Sequence, residues 1–129
     1  MNNRAQTIYQ NTQINTAHPG ELTLMLFNGC IKFMKLAMEN INNNDIEGRH
    51  NHIQRSLNII DELQITLDMK YEISHNLYSL YRFMKEKLIE ANIKASTESL
   101  QVSLDLMTEL RDTWAQAVKL AKSGQKASV

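Results

Sequence analysis

The sequence predicts an all-α fold, an antiparallel up-down-up-down four-helix bundle with a flexible N-terminal arm. Apolar residues recur at helical spacing along four stretches of about 20 residues, joined by links of about four residues. The 129-residue chain has one proline and four glycines, and none of them interrupts a strand-like alternation. Short links make successive helices antiparallel neighbours. A dimerising helical hairpin and an elongated three-helix core with a loose fourth helix are the alternative architectures.

The first predicted helix carries two apolar stripes where a surface helix normally has one. Pro19 suits its first position, Glu21 suits its first turn, and it runs to about Ile41. The stripes lie on nearly opposite sides and consist of Leu22, Leu26, Gly29, Phe33 and Leu36, and of Leu24, Phe27, Ile31, Met34, Met38 and Ile41. Such a helix is either central in its domain or presents its second stripe to something else.

Three further helices follow, each with one inward stripe. The second is predicted over about Ile46–Leu67 behind an Asp45 N-cap, the third from about Tyr71 to Ala91, and the fourth after a Ser96 cap. The inward residues are Ile46, Ile53, Leu57, Ile60, Leu63 and Leu67, then Ile73, Leu77, Leu80, Met84, Leu88 and Ala91, then Leu100, Met107, Leu110, Trp114, Ala117 and Ala121. On the second helix, the residues expected to face outward are Arg49, Asn51, Gln54 and Asn58. The bundle therefore spans 18–122, and residues 123–129 are predicted to be a disordered tail.

Residues 1–17 are predicted to form a separate, flexible N-terminal arm. The arm is rich in Asn, Gln and Thr but carries Ile8, Tyr9 and Ile14, too few apolar residues to fold alone. Two interpretations stand side by side: a detachable cover for apolar surface on the bundle, and a disordered tail.

Composition excludes several classes of function. The 14 basic and 14 acidic residues balance, without the clustered basic footprint of a nucleic-acid or anionic-membrane binder. No apolar stretch is long enough for membrane insertion, and the N-terminus lacks the apolar segment of a secretory signal. The single cysteine, Cys30, allows no internal disulfide and is interpreted as a small buried apolar residue in a reducing compartment.

Two Glu-x-x-His pairs, Glu47–His50 and Glu72–His75, resemble the motifs of di-iron bundles, with Glu39 and Glu109 as further candidate ligands. Each pair lies near the start of its helix. Because the second and third helices are antiparallel, these starts are expected roughly 30 Å apart, too far for one metal centre. No glycine-rich phosphate loop and no nucleophile motif occurs. We therefore predict no cofactor and no catalysis, and expect a binding protein.

Several segments resemble the bacterial flagellin export chaperones, the FliS family. The matching segments are Ile8–Asn11, Ala17–Gly29, Ile59–Leu63, Thr66–Asp68, Leu88–Lys94 and Glu109–Trp114. Together they cover nearly the whole chain in the family's order.

The resemblance implies a cytoplasmic four-helix bundle that binds the disordered C-terminal segment of flagellin, prevents premature polymerisation and delivers it to the flagellar type III export gate. In the family, the arm can cover a groove and be displaced by flagellin. It is also implicated in docking to the cytoplasmic domain of the gate through a tyrosine and an apolar residue three positions earlier, where this chain has Tyr9 and Gln6. The partner-binding residues expected here are Ile8, Tyr9, Ile14, Leu24, Phe27, Ile31 and Met34.

The alternative function is a structural homodimeric bundle that uses the second stripe of the first helix as its interface. A monomer that forms a one-to-one complex with a flagellin tail would separate the chaperone from a dimer indifferent to that peptide.

Overall fold

Four helices account for almost all of the described chain. The computed structural model describes residues 19–127, with side chains over 20–124. The helices are α1 (Pro19–Asn42), α2 (Ile46–Ile65), α3 (Glu72–Lys94) and α4 (Thr97–Ala127). The all-α prediction is confirmed. Helix α4 continues past the predicted bundle end at residue 122, and the disorder of 123–129 stays a prediction.

The helices form one closed bundle. Helix α1 packs against α2 and α4, and α3 packs against the same two helices, so α1 lies diagonally across from α3. The links 43–45, 66–71 and 95–96 are too short for anything but antiparallel neighbours. This arrangement is the up-down-up-down bundle and differs from both alternative architectures.

Helix α1 is central in the bundle, and its second apolar stripe does not form an open face for a partner. Both stripes enter the core: Leu26 and Phe33 from one, and Phe27, Ile31 and Met34 from the other, are all at most 5% exposed. They meet core residues from the other three helices, which include Ile53, Ile60, Leu63, Met84, Leu88, Leu100 and Met107. The second stripe is therefore used inside the chain, and it is not the open face that the homodimer alternative requires.

The inward stripes of α2 and α3 are correct except at their first turns. Ile46 and Ile73 have the phase of the core but remain 67% and 66% exposed. Each lies in the first turn of its helix, and the two antiparallel helices begin at opposite ends of the bundle. Helical spacing predicts the side of the helix on which a side chain lies, but burial also requires a neighbouring helix at the same position along the bundle axis.

Three further assignments were wrong. In α4, Ala117 and Ala121 are predicted to face inward but are exposed. The buried residues include Leu104 and Val118 instead. In α2, Asn58 is 7% exposed although we expected it to face solvent. Its side-chain oxygen accepts a hydrogen bond from Gln54 Nε2 at 3.1 Å, which offsets part of the cost of burying an amide.

The turn between α1 and α2 is held by a chain of side-chain hydrogen bonds. Asp45 is the N-cap of α2, as predicted, and one of its oxygens accepts from the Gly48 N–H at 2.9 Å. Its other oxygen accepts from Asn40 Nδ2 at 3.1 Å, and Asn40 Oδ1 accepts from His52 Nδ1 at 2.6 Å. A Cβ at Gly48 would stand 2.4 Å from Asp45 Oδ2 and 2.5 Å from Asn40 Nδ2. Glycine therefore leaves room for the cap, and a larger residue here would displace the Asp45 and Asn40 side chains.

Replacing Gly48 with alanine is expected to lower the free energy of unfolding by roughly 1–3 kcal/mol, because the cap must shift. This outcome reverses the usual gain for Gly→Ala in a helix. The matched control is Gly124→Ala in α4, where a Cβ would meet nothing within 4 Å. Urea unfolding should show the control at or above wild-type stability. A Gly48→Ala protein as stable as wild type would contradict the argument.

The turn between α3 and α4 closes the same end of the bundle. Ala95 takes a left-handed conformation at φ 51°, and the Ser96 hydroxyl accepts from the Ser99 N–H at 3.1 Å, the predicted cap. Glu90 accepts hydrogen bonds from the Ser99 hydroxyl and from Lys87. These bonds, with the charges of Lys87 and Lys94, lower the pKa of the Glu90 carboxyl. The hydrogen bond that links α4 to α3 through Ser99 and Glu90 therefore loses its charge assistance only as the pH falls through that lowered pKa.

Candidate partner-binding grooves

The α1–α4 groove is an apolar channel between the first turns of α1 and the last turns of α4. Its volume is about 400 Å³. Its apolar lining consists of Leu24, Met25, Ala115 and Val118. Its polar edges consist of Glu21, Asn28, Lys119 and Lys122.

Polar contacts bracket this groove at both ends. At one end Arg111 donates a hydrogen bond to Asn28 Oδ1 at 2.8 Å, and at the other end Lys122 pairs with Glu21. The two basic residues are eleven positions apart on α4, which is about 16 Å along the helix. The two polar contacts therefore lie roughly three helical turns apart, and the apolar lining of the groove lies between them.

Trp114 fixes the start of α1 against α4. Its Nε1 donates to the Gly20 carbonyl at 2.8 Å, and its ring meets Phe27 edge-on, with the ring centroids 5.9 Å apart. Trp114 was predicted to face inward, and its ring packs against the core, but the indole is only partly buried. Gly20, the second residue of α1, is thus bonded to α4 next to the groove.

Replacing Trp114 with phenylalanine is expected to cost about 0.5–1.5 kcal/mol of stability beyond the loss of ring area, because the Gly20 carbonyl loses its indole partner. Chemical denaturation followed by circular dichroism measures the change. The neighbouring exposed residue supplies the control, Thr113→Ala, which should be nearly neutral. Equal stabilities of the Phe variant and wild type would mean that the bond contributes nothing.

The structure distributes the expected partner residues over different environments. Leu24 is partly buried and lines the α1–α4 groove. Ile31 is 4% exposed and borders a shallower concavity of about 350 Å³ along the outer face of α1, beside Lys32, Lys35 and Leu36. Phe27 and Met34 are core residues, at 1% and 0% exposure. Ile8, Tyr9 and Ile14 lie outside the described residues. Direct contact of these seven residues with a partner stays a prediction.

Sequence reasoning missed most of the groove. Met25 is 46% exposed, and Ala115 and Val118 come from the far end of the chain. The sequence contains one indication of the groove: Leu24 and Met25 are adjacent apolar residues, and a single apolar stripe on a helix does not need both. Ala115 and Val118 carry no such signal, because their role depends on which side of α4 meets α1.

The ionisable residues build no reactive centre among the described side chains. Within residues 20–124, no group of three or more His, Cys, Asp or Glu is placed to hold a metal ion. Asn92 Nδ2 donates to His50 Nδ1 at 3.1 Å, and His75 Nε2 donates to the Met69 carbonyl at 2.9 Å. Burial raises the pKa of the Cys30 thiol, which leaves it protonated and unreactive.

Comparison with known proteins places the chain in a family. The family model for the flagellar protein FliS matches residues 1–121. The chain belongs to the FliS family. The flagellar secretion chaperone FliS of Bacillus subtilis is 41% identical over 122 residues, which cover 95% of this chain and 92% of that protein.

More distant relatives carry the same name. The flagellar secretion chaperone FliS of Campylobacter jejuni is 30% identical over 89% of this chain and 91% of that protein, and that of Escherichia coli K12 is 27% identical over 81% and 79%. FliS proteins are named as chaperones, which is not a class of enzyme. None of the helices between residues 19 and 127 combines the length and apolar content that a membrane span requires.

Proposed function

We propose that this protein is a cytoplasmic flagellar secretion chaperone that binds the disordered C-terminal segment of flagellin. Binding would prevent premature polymerisation, and the complex would deliver flagellin to the flagellar type III export gate. The observation that carries the proposal is the α1–α4 groove, an apolar floor between two polar brackets, in a member of a family whose relatives are named secretion chaperones.

The groove suits an amphipathic helical segment. Such a segment presents apolar residues at positions i, i+3 or i+4 and i+7 along one face, and this face can lie on the apolar lining between the two polar contacts. Apolar residues of flagellin would cover Leu24, Ala115 and Val118, and its polar residues would meet Asn28 and Lys119 at the edges. Phe27 and Met34 belong to the core behind α1, and Ile31 borders the neighbouring concavity along α1.

Affinity depends on a balance of opposing terms. Burial of apolar surface stabilises the complex by about 25 cal/mol per Å². Ordering a disordered segment costs a large part of that gain. A chaperone that must release its cargo requires such a balance.

The test is binding of the purified full-length chain to a peptide of the flagellin C-terminal segment, by calorimetry and by size-exclusion chromatography with light scattering. We expect a one-to-one complex and a rise in helix content on binding. A peptide of the same composition in scrambled order is the control. Lack of binding to the native peptide, or equal binding to both, would refute the proposal.

Ile8, Tyr9 and Ile14 are proposed to cover apolar surface of the free bundle until flagellin displaces them. Each buried apolar side chain contributes at most about 1.5–3 kcal/mol. Ordering each flanking residue costs roughly 1–2 kcal/mol of backbone entropy. The terms nearly cancel, as a displaceable cover requires. Docking of the arm to the cytoplasmic domain of the export gate through Tyr9 is part of the same proposal.

Deletion of residues 1–16 is expected to leave the bundle folded and to keep or tighten the binding of the flagellin peptide, because a competing occupant is removed. Circular dichroism checks folding, and calorimetry checks affinity. The control replaces Ile8, Tyr9 and Ile14 with serine in the full-length chain and should reproduce the deletion. Loss of folding or weaker binding after deletion would show that the arm is integral to the domain.

A further inference from the structure

The α1–α4 groove continues along the outer face of α1 into a second depression of about 350 Å³. We call this depression the α1 concavity, and its lining consists of Asn28, Ile31, Lys32, Lys35, Leu36 and Glu39. Asn28 lines both the groove and the concavity, so the two meet at this residue. Lys32 and Lys35 follow Asn28 in the helix, at about 6 and 10 Å along its axis. A partner segment in the groove can therefore extend past Asn28 towards these two lysines.

Three lysines along the groove and the concavity have no carboxylate partner. Lys119 at the edge of the groove and Lys32 and Lys35 in the concavity are exposed. Among the described side chains of residues 20–124, none of the three takes part in an ion pair. Lys122, at the end of the same groove, is paired with Glu21. The three unpaired ammonium groups are therefore available to a ligand.

The positive charge remains in excess after the neighbouring charged groups are counted. Arg111, which donates to Asn28, is paired with Asp112 at 2.7 Å. Glu39 is an unpaired carboxylate at the far end of the concavity and offsets one lysine. Three unpaired lysines against one unpaired glutamate leave an excess of two positive charges along an otherwise neutral or apolar surface.

The chain cannot supply the missing carboxylates itself. All 14 Asp and Glu residues lie between Glu21 and Asp112, within the part of the chain that the structure describes. The N-terminal arm, residues 1–17, contains no Asp or Glu and carries Arg4. If the arm covers apolar surface of the bundle, it leaves the three lysines without a counter-charge. A partner that brings carboxylates gains contacts that the arm lacks.

We infer that Lys32, Lys35 and Lys119 select an acidic amphipathic segment as the ligand of the α1–α4 groove. Its apolar face lies on the groove, and its carboxylates lie beside the three lysines. The inference rests on the proposed function, because it names the chemistry of the cargo that this groove takes. Exposed ion pairs are individually weak, but complementary charges speed association and discriminate between partners. They favour acidic cargo over the chain's own arm.

Two designed helical peptides with the same apolar face test this charge preference on the full-length chain. One peptide carries glutamate along both edges of the apolar face, and the other carries lysine. In calorimetry at about 0.05 M salt, the glutamate peptide should bind about tenfold tighter or better. At about 0.5 M salt most of this difference should disappear, because exposed charges are screened. Equal affinities at low salt, or no binding of either peptide, would overturn the inference.

Glutamine variants assign the preference to the three lysines. The triple variant Lys32→Gln, Lys35→Gln, Lys119→Gln should bind the glutamate peptide about tenfold more weakly and lose the preference. Lys119→Gln alone should weaken binding about threefold. Its matched control is Lys70→Gln, which removes one positive charge from the exposed link between α2 and α3 and should bind as wild type. Circular dichroism verifies folding, and a triple variant that keeps the full preference would overturn the inference.

The flagellin C-terminal peptide separates this inference from the proposed function. Replacing the carboxylates of that peptide with amides should weaken its binding to the wild-type chain but not to the triple variant. If the flagellin peptide does not bind while the glutamate peptide is still preferred, the proposed function fails and the charge preference stands. If the flagellin peptide binds equally well with and without its carboxylates, the inference fails and the proposed function stands.

Discussion

Replacing Phe27 with alanine is expected to lower the free energy of unfolding by about 3–5 kcal/mol, a large part of the 5–15 kcal/mol typical of a domain. Phe27 is 1% exposed, belongs to the core cluster and meets Trp114 edge-on. Truncation removes this contact and leaves a cavity between α1 and α4 that the helices only partly close. Urea unfolding, followed by circular dichroism, measures the loss.

The same experiment decides the role of the second stripe of α1. If Phe27 served only as a partner contact, the alanine variant would keep its melting temperature and lose only flagellin binding. Ile93→Ala is the control, because an exposed aliphatic truncation should change stability by no more than about 0.5 kcal/mol. Equal melting temperatures for the Phe27 and Ile93 variants would contradict the central position of α1.

The fold was predictable because its signals are local. Pro19, Asp45 and Ser96 mark helix starts through their own backbone and capping chemistry, and the structure places helix starts within one residue of each. Short links then determine the antiparallel order. These features depend only on residues close together in the chain, so they can be predicted without knowing which helices pack against each other.

The errors arise where burial depends on a neighbour. Ile46 and Ile73 follow the helical period but stand in the first turns of their helices, at the ends of the bundle, where they stay exposed. Gly48 lies in the first turn of α2, where glycine normally weakens a helix, yet its missing side chain makes space for Asn40 and Asp45. In both cases the deciding atoms belong to a different helix or to a turn that folds back.

The candidate site was the least predictable feature for the same reason. The sequence indicated that α1 has surplus apolar residues, but the choice between core and partner face requires knowing that α1 contacts both α2 and α4. Leu24 alone of the four expected α1 residues lines the α1–α4 groove, and its counterparts Ala115 and Val118 are more than ninety residues away in the chain.

Introducing a carboxylate into the floor of the groove is expected to abolish most flagellin binding while leaving the bundle intact. Ala115→Glu places a charged side chain over Leu24 and Val118, where an apolar residue of flagellin is proposed to lie. Burying that charge against an apolar partner is unfavourable, so the affinity should fall at least 10- to 100-fold, or about 1.4–2.8 kcal/mol. Calorimetry with the flagellin C-terminal peptide measures the change.

Ala117→Glu is the matched control for this prediction. It makes the same substitution two positions further along α4, at an exposed alanine outside the groove. Alanine and glutamate have similar helix propensities, so both variants should unfold within about 1 kcal/mol of wild type. A selective loss of affinity in Ala115→Glu therefore reports on the groove and not on helix stability. Equal affinities for the two variants would move the flagellin site away from the α1–α4 groove, even if the chain still binds the peptide.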